Sequence, residues 1–200
     1  MYTLVRTAFF VLYRVFFRLR IEYIGEEPKT GPALLIANHA SLLDPPLTVC
    51  PFKRPVYFMA KEELFRIPVL GSILSRLRVF PVRRGQADRK AIRRALEILK
   101  EGHLLAMFPE GTRSKDGRLK KAEPGAAMFA LRSKAPVIPV ALINTDKILK
   151  KGSFFAPLEV RVGKPVPLDE FYDQKISSAV LDEAGEKMMA ALSELLDKEN

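Results

Sequence analysis

The sequence predicts an α/β protein in which helices cover the faces of a sheet, preceded by an amphipathic helix suited to a membrane interface. Three observations carry this expectation. Apolar runs at 33–37, 79–82, 104–108, 137–142 and 158–162 have the length of buried strands, and helical patterns at 45–50, 61–76, 88–100 and 125–133 alternate with them. Residues 2–19 segregate polar from apolar side chains at helical period. Two strand exits concentrate the residue types used in acid–base chemistry and anion binding.

On a wheel of about 100° per residue, Thr3, Arg6, Thr7, Arg14 and Arg18 share one arc. Leu4, Val5, Val11, Leu12, Val15, Phe16 and Leu19 cover the opposite side, and Phe10 and Phe17 intrude on the polar arc. The charge-free run 7–13 is far shorter than the ~20 apolar residues that span a bilayer, and no small-residue cleavage pattern follows it. The segment is therefore expected to lie in the interface, its arginines near lipid phosphates and its phenylalanines among acyl chains. A helix packed on the protein's own core is the competing reading. A second apolar and basic stretch, 64–74, could join it at the membrane or wall an acyl tunnel, although Pro68 and Gly71 interrupt it.

The strand at 33–37 exits into Asn38-His39-Ala40-Ser41-Leu42-Leu43-Asp44-Pro45. On a continuous helix His39 and Asp44 would lie roughly 140° apart, so a bend is needed to bring them together. Pro45-Pro46 supplies it, because proline suits a helix's first turn but not its interior. Asp44 is then expected to cap the helix that follows and to reach back to the His39 imidazole, fixing its tautomer and leaving the other nitrogen free to take a proton. The bland alternative is a cap or a Ser41/Asp44 capping box beside an incidental histidine. A serine-nucleophile reading of Ser41 is disfavoured, since no glycine-flanked elbow surrounds it.

The helix at 88–100 stops at Gly102, and the next strand runs into Pro109-Glu110-Gly111-Thr112-Arg113-Ser114. A Gly-Thr turn is expected to present backbone N–H groups, and Arg113 a planar fork of donors, both suited to a phosphate. Glu110 would repel an anion unless it orients the arginine or accepts a substrate hydroxyl. His103, at the strand's start, reads as a surface residue. The stripe Val180, Leu181, Ala184, Met188, Ala191, Leu192 and Leu195 marks a covering helix over 177–196.

Among 200 residues, 33 basic against 23 acidic side chains give a net charge of +10. The excess is concentrated: Arg76, Arg78, Arg83, Arg84, Arg89, Lys90, Arg93 and Arg94 face only Asp88 in that interval. Such a field seeks an anion, whether a lipid phosphate, an anionic membrane, coenzyme A phosphates or an acidic acyl carrier protein. Nucleic acid is not expected, for lack of a recognised binding motif or interleaved stacking aromatics. The single cysteine, Cys50, excludes an intramolecular disulfide and suits a reducing compartment. With no metal-ligand spacing and no glycine-rich nucleotide loop, no metal or nucleotide cofactor is expected.

Asn-His-x-Ser-x-x-Asp followed about seventy residues later by Phe-Pro-Glu-Gly-Thr-Arg-Ser resembles the glycerolipid acyltransferases, most closely the bacterial 1-acyl-glycerol-3-phosphate acyltransferases. Phe80-Pro81-Val82-Arg83 and Val137-Ile138-Pro139-Val140 resemble two further blocks of that family, so the likeness covers roughly 21–167. The resemblance implies a mixed sheet flanked by helices, with the two long motifs meeting at strand ends. It implies His39 as general base and Asp44 as its orienting partner, acting on the glycerol hydroxyl of a lysophosphatidate as it attacks an acyl thioester from acyl-CoA or acyl carrier protein. It implies Lys61 as a cation near the reacting carbonyl, and Arg83, Glu110, Gly111, Thr112 and Arg113 as the acceptor-binding set. Lys61 also reads as a solvated residue at a helix start. One departure stands out: Lys120-Lys121 is followed by Ala122-Glu123-Pro124 before Gly125, where relatives run from lysine almost directly to glycine. The expected layout is an interfacial helix at 1–20 and a single α/β acyltransferase domain at 21–200, held peripherally on the cytoplasmic face of the cell membrane. Other acceptors (glycerol-3-phosphate, another lysophospholipid or a lyso-aminolipid), a thioester hydrolase and a non-catalytic lipid-binding protein are the alternatives.

Overall fold

The computed structural model describes residues 1–83, 88–114, 117–148 and 156–198. Seven strands form one sheet: β1 (Arg20–Tyr23), β2 (Ala33–Ala37), β3 (Val56–Lys61), β4 (Val79–Val82), β5 (Leu104–Met107), β6 (Val137–Ile143) and β7 (Glu159–Val162). Their order is β1-β7-β6-β2-β5-β3-β4. Every pairing is parallel except β6 with β7, which makes the sheet mixed, as expected. All five residues of β2 are buried, which explains why it reads as an unbroken apolar run: a central parallel strand is covered on both faces.

The two covers differ. On one face α1 (Tyr2–Phe16) and α2 (Asp44–Thr48) contribute Tyr13 and Leu47 to a core that takes Ala33, Leu35 and Ala37 from β2. On the other, α5 (Arg89–Lys100), α6 (Pro124–Ser133) and α7 (Ser178–Asp197) meet Leu34 and Ile36. Between β3 and β4 lie two short helices, α3 (Glu62–Phe65) and α4 (Leu70–Arg76). From β2 the chain crosses to β3 by way of α2, while from β5 it crosses to β6 by way of α6 on the opposite face. Neighbouring strands whose connections diverge in this way open a crevice at their carboxyl ends, a general place for a ligand in open α/β sheets.

Several expectations need correction. The 61–76 pattern is not one helix: β3 runs through Lys61, and Pro68 and the left-handed Val69 (φ +69°) separate α3 from α4. Proline lacks the N–H that an uninterrupted helix needs there. Two further strands were not expected: β1, where Arg20 and Glu22 break any apolar run, and β3, which is apolar from Val56 to Ala60 and ends on Lys61. The N-terminal helix stops at Phe16, short of residue 19, and the chain turns through Arg18 (φ +48°) into β1.

The orientation of α1 also departs from expectation. Tyr13 and Phe17 are buried, Phe9 packs on the same core, and the Arg6 guanidinium donates to the Phe52 carbonyl. Arg14 donates to the Leu19 carbonyl. Part of the polar arc therefore faces the protein, with its arginines satisfied by backbone oxygens rather than aligned for lipid phosphates. The apolar arc is left outside: Leu4, Val11, Leu12, Val15 and Phe16 are exposed, beside the exposed Thr3, Thr7 and Arg14.

Candidate functional site

Both long motifs lie at the carboxyl edge of the parallel strands. Beyond Ala37, the side chain of Asn38 replaces the backbone: its amide donates to the Leu142 carbonyl at 2.8 Å and its oxygen accepts from Leu142 N–H at 2.7 Å. This buried pair prolongs the β2–β6 ladder by one side chain and frees the main chain to turn. Burying an amide with both bonds made costs little, whereas leaving it unpaired would be expensive.

The turn brings His39 and Asp44 together. Nδ1 of His39 lies 2.8 Å from Oδ2 of Asp44, whose side chain is fully buried. The same oxygen accepts from the N–H groups of Ala40 (2.7 Å) and Ser41 (2.6 Å). An oxygen already receiving two amide protons is a poor site for a third bound proton, so Nδ1–H donates and Nε2 is left as the acceptor. The imidazole is stacked on Phe108 with centroids 4.0 Å apart, and its side chain retains only 12% exposure. The expected forward cap does not form. Helix α2 starts at Asp44 itself with no side-chain cap bond, because the carboxylate points upstream into the turn. Ser41 Oγ accepts from Leu43 N–H at 3.3 Å, the part of a turn residue.

The second motif is stitched to the first. Glu110, also buried, accepts His39 N–H on Oε1 (2.9 Å) and Lys120 N–H on Oε2 (3.2 Å), and Ser114 N–H donates to the His39 carbonyl at 2.7 Å. Burial pushes the Glu110 carboxyl above its ordinary range, against those two amide donors. Gly111 has φ +68°, and a Cβ there would meet Glu123 Cγ at 2.9 Å, so a larger residue would be strained at the position. The expected cradle of free N–H groups is absent from this turn. Gly111 N–H is bonded to the Phe108 carbonyl (3.1 Å) and Thr112 N–H to the Glu110 carbonyl (2.8 Å). The anion-binding capacity resides instead in side chains.

Arg113 is exposed, with no bonding partner for its guanidinium among the described residues. Lys61 ends β3, opposite Val82 in the β3–β4 register, and its ammonium is likewise exposed without a partner there. Arg83 follows Val82 at the same edge but is paired with Glu62 through bonds of 2.7 and 3.3 Å. That pairing holds the half-buried Glu62 carboxyl below its usual range. Arg84 lies outside the described residues. Thus His39, Asp44, Glu110, Gly111 and Thr112 form one hydrogen-bonded unit, while Lys61, Arg83 and Arg113 border it as charges on neighbouring strand ends.

Sequence reasoning passed over three contributors: Asn38, Phe108 and Lys120. Asn38 and Phe108 stood inside the quoted motifs, but stacking and strand mimicry leave no local pattern. Lys120 Nζ reaches the Arg113 carbonyl (2.9 Å) and Thr112 Oγ1 (3.4 Å), whereas Lys121 turns away to Asp182 of α7 at 3.0 Å. His103, as expected, is on the surface, near Glu101 and the Tyr57 ring. Among the described residues no group of three or more His, Cys, Asp or Glu is placed to hold a metal ion.

Residues 19–143 match the profile of the family described as Acyltransferase. The chain belongs to the Acyltransferase family. The match includes every residue of the two motifs together with Lys61 and Arg83. Within this acyltransferase family, the chain is 36% identical over 143 residues to a chloroplastic 1-acyl-sn-glycerol-3-phosphate acyltransferase of Arabidopsis thaliana, covering 69% of this chain and 39% of that protein. It is 32% identical over 149 residues to the 1-acyl-sn-glycerol-3-phosphate acyltransferase of Bacillus subtilis, covering 72% of this chain and 71% of that one. The chain thus spans about two fifths of the length of the chloroplastic relatives of Arabidopsis thaliana and Brassica napus and most of the bacterial one. The crystal structure of the 1-acyl-sn-glycerophosphate (LPA) acyltransferase PlsC from Thermotoga maritima aligns with a TM-score of 0.73 at 28% identity, covering 99% of this chain and 80% of that one. The acyltransferase fold is therefore that of the whole described chain, including β7 and α7 beyond the matched profile.

Proposed function

We propose that this acyltransferase transfers an acyl group from a thioester to the free hydroxyl of 1-acyl-glycerol-3-phosphate, giving phosphatidate for phospholipid synthesis. The observation that carries the reading is the 2.8 Å contact between His39 Nδ1 and Asp44 Oδ2, a carboxylate fixed by two half-buried backbone donors, with Nε2 left to accept a proton. The names of the plant and bacterial relatives supply the acceptor.

In this mechanism the acceptor hydroxyl attacks the thioester carbonyl as its proton passes to His39 Nε2. Asp44 stabilises the imidazolium that forms and keeps Nδ1 protonated throughout. Lys61 offers its charge to the developing oxyanion. When the carbon–sulfur bond breaks, the departing thiolate takes the proton from Nε2, leaving ester and thiol. No covalent acyl-enzyme is formed, so Ser41 and Cys50 have no chemical task. Arg113 binds the acceptor phosphate, joined by Arg83 once it exchanges Glu62 for the ligand. Glu110, Gly111 and Thr112 shape the acceptor side by holding the two motifs together.

The acceptor and product are lipids, and the outer face of α1 supports a peripheral attachment. Leu4 is 73% and Val15 65% exposed, and across α3 and α4 Leu64, Ile67, Val69 and Ile73 are exposed as well. Exposed apolar side chains of this kind serve to enter a lipid interface rather than water. No helix among the described residues is long and apolar enough to cross a membrane. The segment 1–20, which holds α1, is read as the attachment of one catalytic unit over 21–200, resting on the cytoplasmic face of the cell membrane.

The deciding assay measures free thiol release by the purified protein in detergent, with acyl thioester, in the presence and absence of lysophosphatidate. Release that requires the acceptor, and that disappears in His39→Ala, is the expected result. Equal release without acceptor would identify a hydrolase, and equal acyl transfer by His39→Ala would remove the base assignment.

A further inference from the structure

The face opposite α1 carries a groove of about 500 Å³ between α5 and α6. Arg89, Arg93 and Lys100 line it from α5 and Arg132 from α6, over a floor of half-buried Ile92 and Leu96, with Glu97 the one acid on its wall. The acids of α5 do not neutralise these four cations: Glu97 pairs with Arg94, and Glu101 with Arg94 and His103. Among the described residues Arg89, Arg93, Lys100 and Arg132 have no ion-pair partner, although each sits on a helix where a pairing acid would be easy to place. Four uncompensated cations around an apolar strip raise the local positive potential, and such a surface is satisfied by a ligand that brings acids and apolar side chains together.

We propose that this groove docks an acidic, helical acyl carrier protein, the thioester donor for the reaction above. The inference rests on the acyl-transfer reading and deepens it by choosing the donor. Three features favour a protein over a single phosphate group. The cations from Arg89 to Lys100 extend along about 16 Å of helix, the reach of several turns of an opposing helix rather than of one phosphate. The N–H groups of Lys90 and Ala91 at the start of α5 are already taken by Asp88, so the helix end offers no anion cradle of its own. The apolar floor matches a helix that alternates acids with aliphatic side chains. Position separates this surface from lipid: α5 and α6 cover the face of the sheet opposite the one that α1 covers, so a protein resting on α1 turns the groove toward water. The groove begins beside Asp88, which accepts the Arg83 N–H at the carboxyl edge of the sheet, so a carrier seated there has its acyl arm directed toward His39 from the aqueous side.

The test is the double variant Arg93→Glu/Lys100→Glu, compared with wild type in two assays. In direct binding, measured by calorimetry with acyl carrier protein in the absence of turnover, the variant is expected to bind at least about tenfold more weakly and wild-type binding to weaken with salt. In turnover, KM for the carrier-borne donor is expected to rise by a similar factor while kinetics with acyl-CoA remain unchanged. Unchanged carrier binding, or no binding by wild type, overturns the proposal, as does an equal loss with both donors. Co-sedimentation with anionic phosphatidylglycerol vesicles gives a third arm: if the variant loses vesicle binding and keeps carrier binding, the surface belongs to the membrane. Groove-dependent carrier binding without turnover of any thioester would sustain the docking site and sink the acyl-transfer reading instead. A wild-type-like thermal melt verifies that the variant folds.

Discussion

The exit of β2 and the rim of cations around it are built on opposite plans. At the exit, one carboxylate oxygen holds an imidazole and two amides, a buried glutamate joins His39 to Lys120, and Asn38 is locked between the strands of the ladder. At the rim, Arg113 and Lys61 stand exposed, and the exposed Arg83 is held by a single carboxylate. The first arrangement removes orientational freedom before any ligand arrives, which a proton acceptor needs in order to meet a reacting oxygen. The second keeps its charges hydrated and free to rearrange, so they contribute binding without stability. Mutations should therefore separate into two classes, and the separation can be attacked from either side.

His39→Ala is expected to give the largest effect on rate, a loss of roughly 10²- to 10⁴-fold in kcat with a thermal midpoint close to wild type. A variant inactive only because it unfolds would blur the contrast, and thermal melts check this. Asp44→Ala should combine both kinds of damage, since it strands the half-buried N–H groups of Ala40 and Ser41. Each stranded donor costs about 1–3 kcal/mol, so a large drop in melting temperature should accompany the loss of turnover. A rate loss without destabilisation would contradict the role given to those bonds. Arg113→Glu, from the rim, should raise KM for lysophosphatidate by about 10- to 100-fold, the worth of one charge-assisted bond, and leave stability within about 0.5 kcal/mol. An equal KM would show that the rim does not read phosphate.

The smallest effect concerns pH. A carboxyl raised by burial contributes stability that is full below its unfolded value of about 4.3 and is lost as pH rises through its higher folded value. The melting temperature of wild type, measured relative to Glu110→Gln, should therefore fall as pH increases across the weakly acidic range. A difference that stays flat with pH would mean that Glu110 is as well solvated as the rim. Cys50 offers a companion check on the interior: burial pushes its thiol up to about 12, so it should resist thiol reagents until the protein unfolds.

Much of this was legible from residue order. Runs such as Ala33–Ala37 and Val137–Ile143 announce themselves because a parallel strand buried on both faces must be apolar throughout. Edge strand β1 lacks that signature, whereas β3 carries it from Val56 to Ala60 and was missed all the same. Pro68 was visible as an interruption, but whether it kinks or ends a helix depends on neighbouring elements, and here it ends one. For α1 the wheel located the apolar arc correctly but not the direction of the remainder. Arg6 faces inward because the Phe52 carbonyl, 46 residues away in sequence, accepts from it.

By itself, the sequence determined which residues stand at the strand exits, that His39 and Asp44 need a bend to meet, and that the chain carries an unbalanced positive charge. These are consequences of composition, period and the stereochemistry of proline and glycine, all local properties. Tertiary structure alone decided that Asp44 points back into the turn instead of capping α2, that the Gly111–Thr112 amides are already spent, that Lys120 rather than Lys121 reaches the site, and which arginines face away from solvent. Each of those outcomes depends on a partner supplied from elsewhere in the fold, and hydrogen bonds and burial are settled by the atoms that arrive, not by their distance along the chain.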